Sequence, residues 1–161
     1  DYGIEVTLSM FEELMSIKNI VAVKESTRNI SNITKMKAKF GDRYKILAGV
    51  DTLALESLMM GADGWVAGLV CAFPKETVAI YELYKAGRNK EALEIYRWFL
   101  PLLELDTTSK LVQNIKLAEV ATGIGTEKVR EPRLPLIGKE RKNVIEIIEK
   151  SLKTRPKLPN Y

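Results

Sequence analysis

Three short apolar runs, each followed by a stretch of helical periodicity, constrain this chain more than any other feature. The runs are Asn19 to Lys24 (Asn-Ile-Val-Ala-Val-Lys), Tyr44 to Gly49 (Tyr-Lys-Ile-Leu-Ala-Gly) and Gly64 to Leu69 (Gly-Trp-Val-Ala-Gly-Leu), recurring every 20–25 residues. Between them, Ile30, Ile33, Met36 and Phe40 fall at helical spacing, as do Leu53, Leu55, Leu58 and Met59. Asn29 or Ser31 can cap the first helix and Asp51 or Thr52 the second, while Gly41 and Gly61 end them. Three buried strands separated by helices predict an α/β fold with a parallel sheet and crossover helices.

After Pro74 the pattern is helical throughout. Apolar spacing predicts helices over 75–86, 91–105, 107–122 and 138–152. Gly123-Ile-Gly125 interrupts them, the prolines of Arg130-Glu-Pro-Arg-Leu-Pro135 predict extended chain, and Arg155 to Tyr161 reads as a tail. This divides the chain into 1–74, which carries the strands, and 75–161, which is helical.

Composition narrows the chemistry. With no histidine, Ser-His and Cys-His nucleophile systems and most zinc sites are excluded, so catalysis must run on Lys, Tyr, Asp, Glu, Ser or Thr. The single cysteine, Cys71, allows no internal disulfide and fits a reducing cytoplasm. The net charge of +4 sits at the C-terminal end: residues 127–161 hold 10 Lys+Arg against 5 Glu, leaving 15 against 16 elsewhere. Few aromatics accompany those positives, so they read as a solvated helix face, not a nucleic-acid site. No apolar stretch reaches the ~20 residues of a spanning helix, and Asp1 to Val6 lacks the basic start and apolar middle of a signal peptide.

Lys24 closes the first run and is followed by Glu25-Ser-Thr-Arg-Asn29. A lysine where a buried strand ends can be an ordinary ammonium in solvent. It can also, if burial disfavours the charged form, become a neutral amine that attacks a ketone to give a Schiff base. The residues alone leave both readings open.

The order of pieces is more specific: Val-Lys-Glu-Ser, then Leu-Ala-Gly-Val-Asp, then Gly-Ala-Asp-Gly-Trp-Val-Ala-Gly, then Val129-Arg-Glu-Pro-Arg-Leu-Pro-Leu136. Together they resemble the dihydrodipicolinate synthase / N-acetylneuraminate lyase family of Schiff-base (class I) aldolases. The resemblance implies the C-terminal part of a (β/α)8 TIM barrel, about strands six to eight, followed by a helical region. It places Asp1 just past the fifth strand and implies that the N-terminal barrel half is missing as a partner. Such a piece is expected to expose strand edges and to be inactive alone, as a fragment or assembly module, or to pair with copies of itself. The family commonly forms tetramers as dimers of dimers, so a homo-oligomer is expected. Trp98, Phe99 and Leu100-Pro-Leu-Leu103 read as core in preference to an assembly contact.

By the same resemblance Lys24 is the Schiff-base lysine acting on pyruvate or a related 2-oxo acid, with no metal or organic cofactor. Alternation points Glu25 away from Lys24's face, toward a supporting role. Ser26 matches a substrate-touching Ser/Thr of sialic-acid lyases. Gly49 and Asp51 match a Gly-x-Asp that holds the substrate's hydroxylated tail there, or they serve as a tight turn and a helix cap. Val66, Ala67 and Gly68 match the backbone lying over the bound keto acid. Thr52 stands where those lyases usually have Glu, which weighs against a long sugar substrate. Arg28 replaces a frequent Gly and reads as a solvent ion-pair partner in preference to a binder of a second carboxylate; Cys71 replaces a frequent Asn and reads as a packed small hydrophobe. Arg28 with Gly-Trp-Val-Ala-Gly and Ala72-Phe-Pro74 also looks like the branch that handles hydroxyproline-derived pyrroline carboxylates.

Overall fold

The structure is a computed structural model that describes residues 5–160. Expectations placed on residues 1–4 and on Tyr161, including the position of Asp1 relative to a fifth strand, lie outside the described residues. Two compact units divide the chain, Asp1–Val66 and Ala67–Tyr161.

The first unit is a parallel three-stranded sheet with its crossover helices. Helix α1 (Leu8–Glu13) precedes β1 (Ala22–Glu25), α2 (Ser31–Phe40) joins it to β2 (Lys45–Ala48), and a 3-10 turn (Asp51–Leu53) with α3 (Ala54–Met59) leads to β3 (Gly64–Trp65). The sheet order is β1-β2-β3, all parallel, with Lys24 in register with Leu47 and Leu47 with Gly64. The helical spacing buries Ile33, Met36 and Phe40 on α2 and Leu55 and Leu58 on α3, alongside Ile46 and Ala48 of β2. Tyr44 is fully buried; its ring meets Phe11 and Phe40 edge-on at 5.9 and 5.5 Å, and its hydroxyl donates to the Phe11 carbonyl at 2.7 Å. Arg43 donates to the carbonyls of Met15, Ile17 and Ile20, fixing the chain between α1 and β1. Gly41 and Gly61 follow their helices with φ of 55° and 101°, conformations open to glycine, as their positions in the sequence predict.

Burial of the strands departs from expectation. The run 19–24 reads as buried, yet Ala22 and Lys24 are exposed and Val21 is 61% exposed. The reason is position: β1 is the outer strand of the described sheet, so one backbone edge has no neighbour there. The third run pairs over only Gly64–Trp65, because Val66 makes the last bond, from its N–H to the Ala48 carbonyl at 2.9 Å.

The second unit opens with a 3-10 turn (Leu69–Cys71) and packs four helices: α4 (Pro74–Lys85), α5 (Asn89–Leu103), α6 (Leu111–Ala121) and α7 (Gly138–Lys153). Phe73, Ile80, Leu83, Phe99, Leu102 and Leu103 are fully buried, and Phe73 stands edge-on to Trp98 and Phe99. Phe99, Leu102 and Leu103 are core, Trp98 is half-buried with its indole N–H donating to the Ser151 carbonyl at 3.0 Å, and Leu100 faces solvent. Around Pro132 the expected extended chain contains a turn: Arg133 N–H bonds the Arg130 carbonyl at 3.1 Å, with a cis Glu131–Pro132 bond between them. The tail is strapped down. Arg155 donates to Glu76 at 2.6 Å and stacks over Phe73, and Arg88 donates to the Asn160 carbonyl at 2.6 Å. Cys71, expected to be packed, is exposed, because Leu69 takes the buried position of its 3-10 turn. No helix among the described residues is long and apolar enough to cross a membrane.

Candidate active site

Parallel strands bring their C-terminal ends to one rim, and β1 delivers Lys24 there. Two-residue alternation sends Lys24 outward and Glu25 inward: Lys24 is exposed, and Glu25 is 8% exposed. The Lys24 amine makes no hydrogen bond or ion pair to a described residue. The burial on which the sequence argument for a reactive amine leaned is therefore not supplied by the described residues.

Glu25 supports the loop, as alternation predicts. Its Oε1 accepts from the Thr27 N–H at 3.0 Å and the Thr27 hydroxyl at 2.5 Å, and Thr27 Oγ1 accepts from Asn32 Nδ2 at 2.9 Å. Within this braced turn Arg28 has φ of 64°, the left-handed region, where a residue other than glycine costs about 1–2 kcal/mol. Position 28, where the sequence reading expected a Gly, thus has a backbone that suits glycine.

Gly49 sits against Lys24 and Ser26. Its N–H donates to the Glu25 carbonyl at 2.8 Å. A Cβ there would lie 2.7 Å from Lys24 Cγ and 2.8 Å from the Glu25 carbonyl oxygen, and would collide with Ser26 Oγ. The structure thus brings Lys24, Ser26 and Gly49 together, and the missing side chain at 49 is what leaves room for the other two.

Asp51 takes a role that the sequence does not disclose. It is 1% exposed, and its Oδ1 accepts the Trp65 indole N–H at 3.0 Å, tying the end of β2 to β3. Val66 is exposed at the end of β3. Ala67 and Gly68 belong to the second unit, where a Cβ on Gly68 would lie 2.6 Å from Asp106 Cγ. A nearby carboxylate thus accounts for the small residue at 68.

Asp63, in the Gly-Ala-Asp-Gly segment, ties the starts of β2 and β3 to α2. It accepts from Lys37 at 2.8 Å, the Ile46 N–H at 2.9 Å and Lys45 at 3.3 Å. Burial alone would raise its pKa, but these donors outweigh burial and hold it at about 2.

Beside Lys24 lies an open cleft of about 920 Å³. Its lining includes apolar Phe11, Val23 and Met36 and charged Lys24, Glu25 and Arg28. Among the described residues no cluster of three or more His, Cys, Asp and Glu is placed to hold a metal ion.

A sequence model of the dihydrodipicolinate synthetase family matches residues 2–151. A 4-hydroxy-tetrahydrodipicolinate synthase from Clostridium tetani is 34% identical over 134 residues, which cover 83% of this chain and 44% of that protein. The solved 4-hydroxy-tetrahydrodipicolinate synthase of Methylacidiphilum fumariolicum SolV superposes with a TM-score of 0.81 at 25% identity, over 94% of this chain and 52% of that one. A catalytic-lysine mutant of the Ruminococcus gnavus sialic acid aldolase gives 0.78 at 23% identity, over 94% and 52%, a likeness of fold. The chain spans about half the length of the relatives it matches.

Proposed function

The chain belongs to the dihydrodipicolinate synthetase family, and on that footing we propose that it carries the Schiff-base lysine, Lys24, of a lyase or synthase acting on pyruvate or a related 2-oxo acid. One observation carries the reading: Lys24 stands at the C-terminal end of a parallel strand, its amine unpartnered among the described residues, on an open cleft beside Ser26 and the bare backbone of Gly49. In the proposed step the neutral amine bonds the ketone carbon, the ketone oxygen departs as water with the two amine protons, and a proton taken up from solvent turns the imine into an iminium. The resulting iminium withdraws electrons, so that loss of a proton from the adjacent carbon leaves an enamine.

In this reading β1, β2 and β3 are about strands six to eight of a (β/α)8 barrel. Residues 1–74 are the barrel part, 75–161 are its last helix with the helical region that follows, and the whole protein is a homo-oligomer. Ser26 and Gly49 border the substrate, and Val66, Ala67 and Gly68 lie over the keto acid. Asp51, held by Trp65, is weaker support for a hydroxylated sugar tail than its position in the sequence, and Thr52 points the same way.

A second reading, that the chain is inactive until joined to the rest of a barrel, is favoured by the exposed edge at Val21 and by exposed Met10, Met15 and Ile17. Deuterium exchange tests the chemistry. The longest polypeptide carrying these residues is expected to exchange the pyruvate methyl protons in D2O, followed by NMR, with Lys24→Arg reducing the rate at least a hundredfold. An equal rate in Lys24→Arg overturns the assignment.

A further inference from the structure

We propose that Thr27 is a positioning residue for the reaction at Lys24: its hydroxyl holds the buried Glu25 carboxylate, and through Glu25 it fixes how Lys24 and Ser26 stand at the rim. This rests on the Schiff-base reading of Lys24. Glu25 sits between the two site residues in the chain, so its backbone angles set the direction in which each leaves the strand end. That backbone is pinned on one side, where the Glu25 carbonyl accepts the Gly49 N–H at 2.8 Å. The side chain pins it on the other. Its carboxylate is buried, with Oε1 accepting the Thr27 N–H at 3.0 Å and the Thr27 hydroxyl at 2.5 Å.

The Thr27 hydroxyl is used to its full capacity. A threonine oxygen has one proton to give and two lone pairs. Thr27 gives its proton to Glu25 and accepts from Asn32 Nδ2 at 2.9 Å and from the Asn29 N–H at 3.3 Å. Asn32 belongs to the first turn of α2, whose Ile33 and Met36 are buried in the core, and Asn29 Oδ1 accepts from the Ser31 N–H at 3.2 Å and the Ser31 hydroxyl at 2.7 Å at the same helix end. One hydroxyl thus couples a core-packed helix to the residue between Lys24 and Ser26. A hydroxyl donating to a carboxylate makes a stronger bond than one between neutral groups. Without it, Glu25 keeps only the Thr27 N–H, and its carboxylate can turn off its inward face and move the backbone on either side. Among the described residues the side chains of Lys24 and Ser26 make no hydrogen bond or ion pair, so their placement depends on the backbone that carries them.

Deuterium exchange into the pyruvate methyl group, followed by NMR with the longest polypeptide carrying these residues, separates positioning from binding. The rate at saturating pyruvate reads how Lys24 is placed, and the half-saturating concentration reads how pyruvate is held. Thr27→Val keeps the branched shape and removes the hydroxyl. It is expected to cut the saturating rate at least tenfold and to move half-saturation less than threefold, since a misplacement of about 1 Å can cost about a hundredfold in rate. Thr27→Ser keeps the hydroxyl and is expected to stay within threefold of wild type on both. A threonine that only supported the fold would not sort the two variants by their hydroxyl at equal melting temperature. A Thr27→Val saturating rate within threefold of wild type, a Thr27→Ser as slow as Thr27→Val, or a loss confined to half-saturation overturns the role of Thr27 and leaves Lys24 in place. If Thr27→Val melts below the assay temperature, Glu25→Gln is read in its place: its neutral oxygen accepts more weakly, a lower saturating rate is expected, and an unchanged one overturns the role. No exchange by wild-type protein overturns both this inference and the reading of Lys24.

Discussion

At the scale of single residues, the site is held by what is absent at position 49. A Cβ at position 49 would meet Lys24 Cγ, Ser26 Oγ and the Glu25 carbonyl so closely that one of them or the strand end must move. Gly49→Ala is expected to cost about 1–3 kcal/mol, the usual range for overpacking, and to lower the rate of borohydride trapping at Lys24 at least tenfold. Urea unfolding and trapping kinetics on the same variant check both. Arg28 and Asp51 show how far a single residue can be read from sequence. The replacement of a frequent Gly by Arg marked position 28 as unusual, but only the φ of 64° explains why. At Asp51, a helix cap and a substrate contact were both chemically reasonable. One partner that the structure gives it, Trp65, lies 14 residues away and leaves no local signal.

At the scale of elements, glycine punctuation and helical spacing placed α2 and α3 within a residue or two, and the alternation of strand and helix predicted the parallel sheet. Helix α1 went unread because six residues give too short a period, although Thr7, whose hydroxyl accepts from the Met10 N–H at 3.3 Å, is a cap signal that could have found it. The strap at 155–160 was unreadable for a different reason: Arg155 meets Glu76 across 79 positions, and two prolines disguise the segment as a free tail. One anchor between elements has a pH signature. Asp63 binds Lys37 of α2 and the Ile46 N–H of β2, which depresses its folded pKa to about 2 from 3.8. A depressed carboxylate stabilises the fold above its unfolded pKa and loses that contribution as the pH falls through the folded value. Between about pH 4 and pH 2 wild-type protein is therefore expected to lose about 1–2 kcal/mol more stability than Asp63→Asn, allowing for solvent screening. Urea titrations across that interval measure the difference.

At the scale of the whole molecule, the chain spans about half the length of its relatives, and β1 presents an outer edge beside exposed Val21. The desolvation that would favour a neutral amine at Lys24 is missing from the described residues, so in the proposed enzyme it must come from what covers this rim. On the proposed reading the nucleophile lies in this chain and part of what activates it lies outside it. The central claim is the identity of the nucleophile, and the most direct measurement is where a reduced adduct forms. With pyruvate and borohydride, the account predicts a single adduct on the peptide holding Lys24, absent in Lys24→Arg. An adduct spread over other lysines, or one that persists in Lys24→Arg, would contradict it.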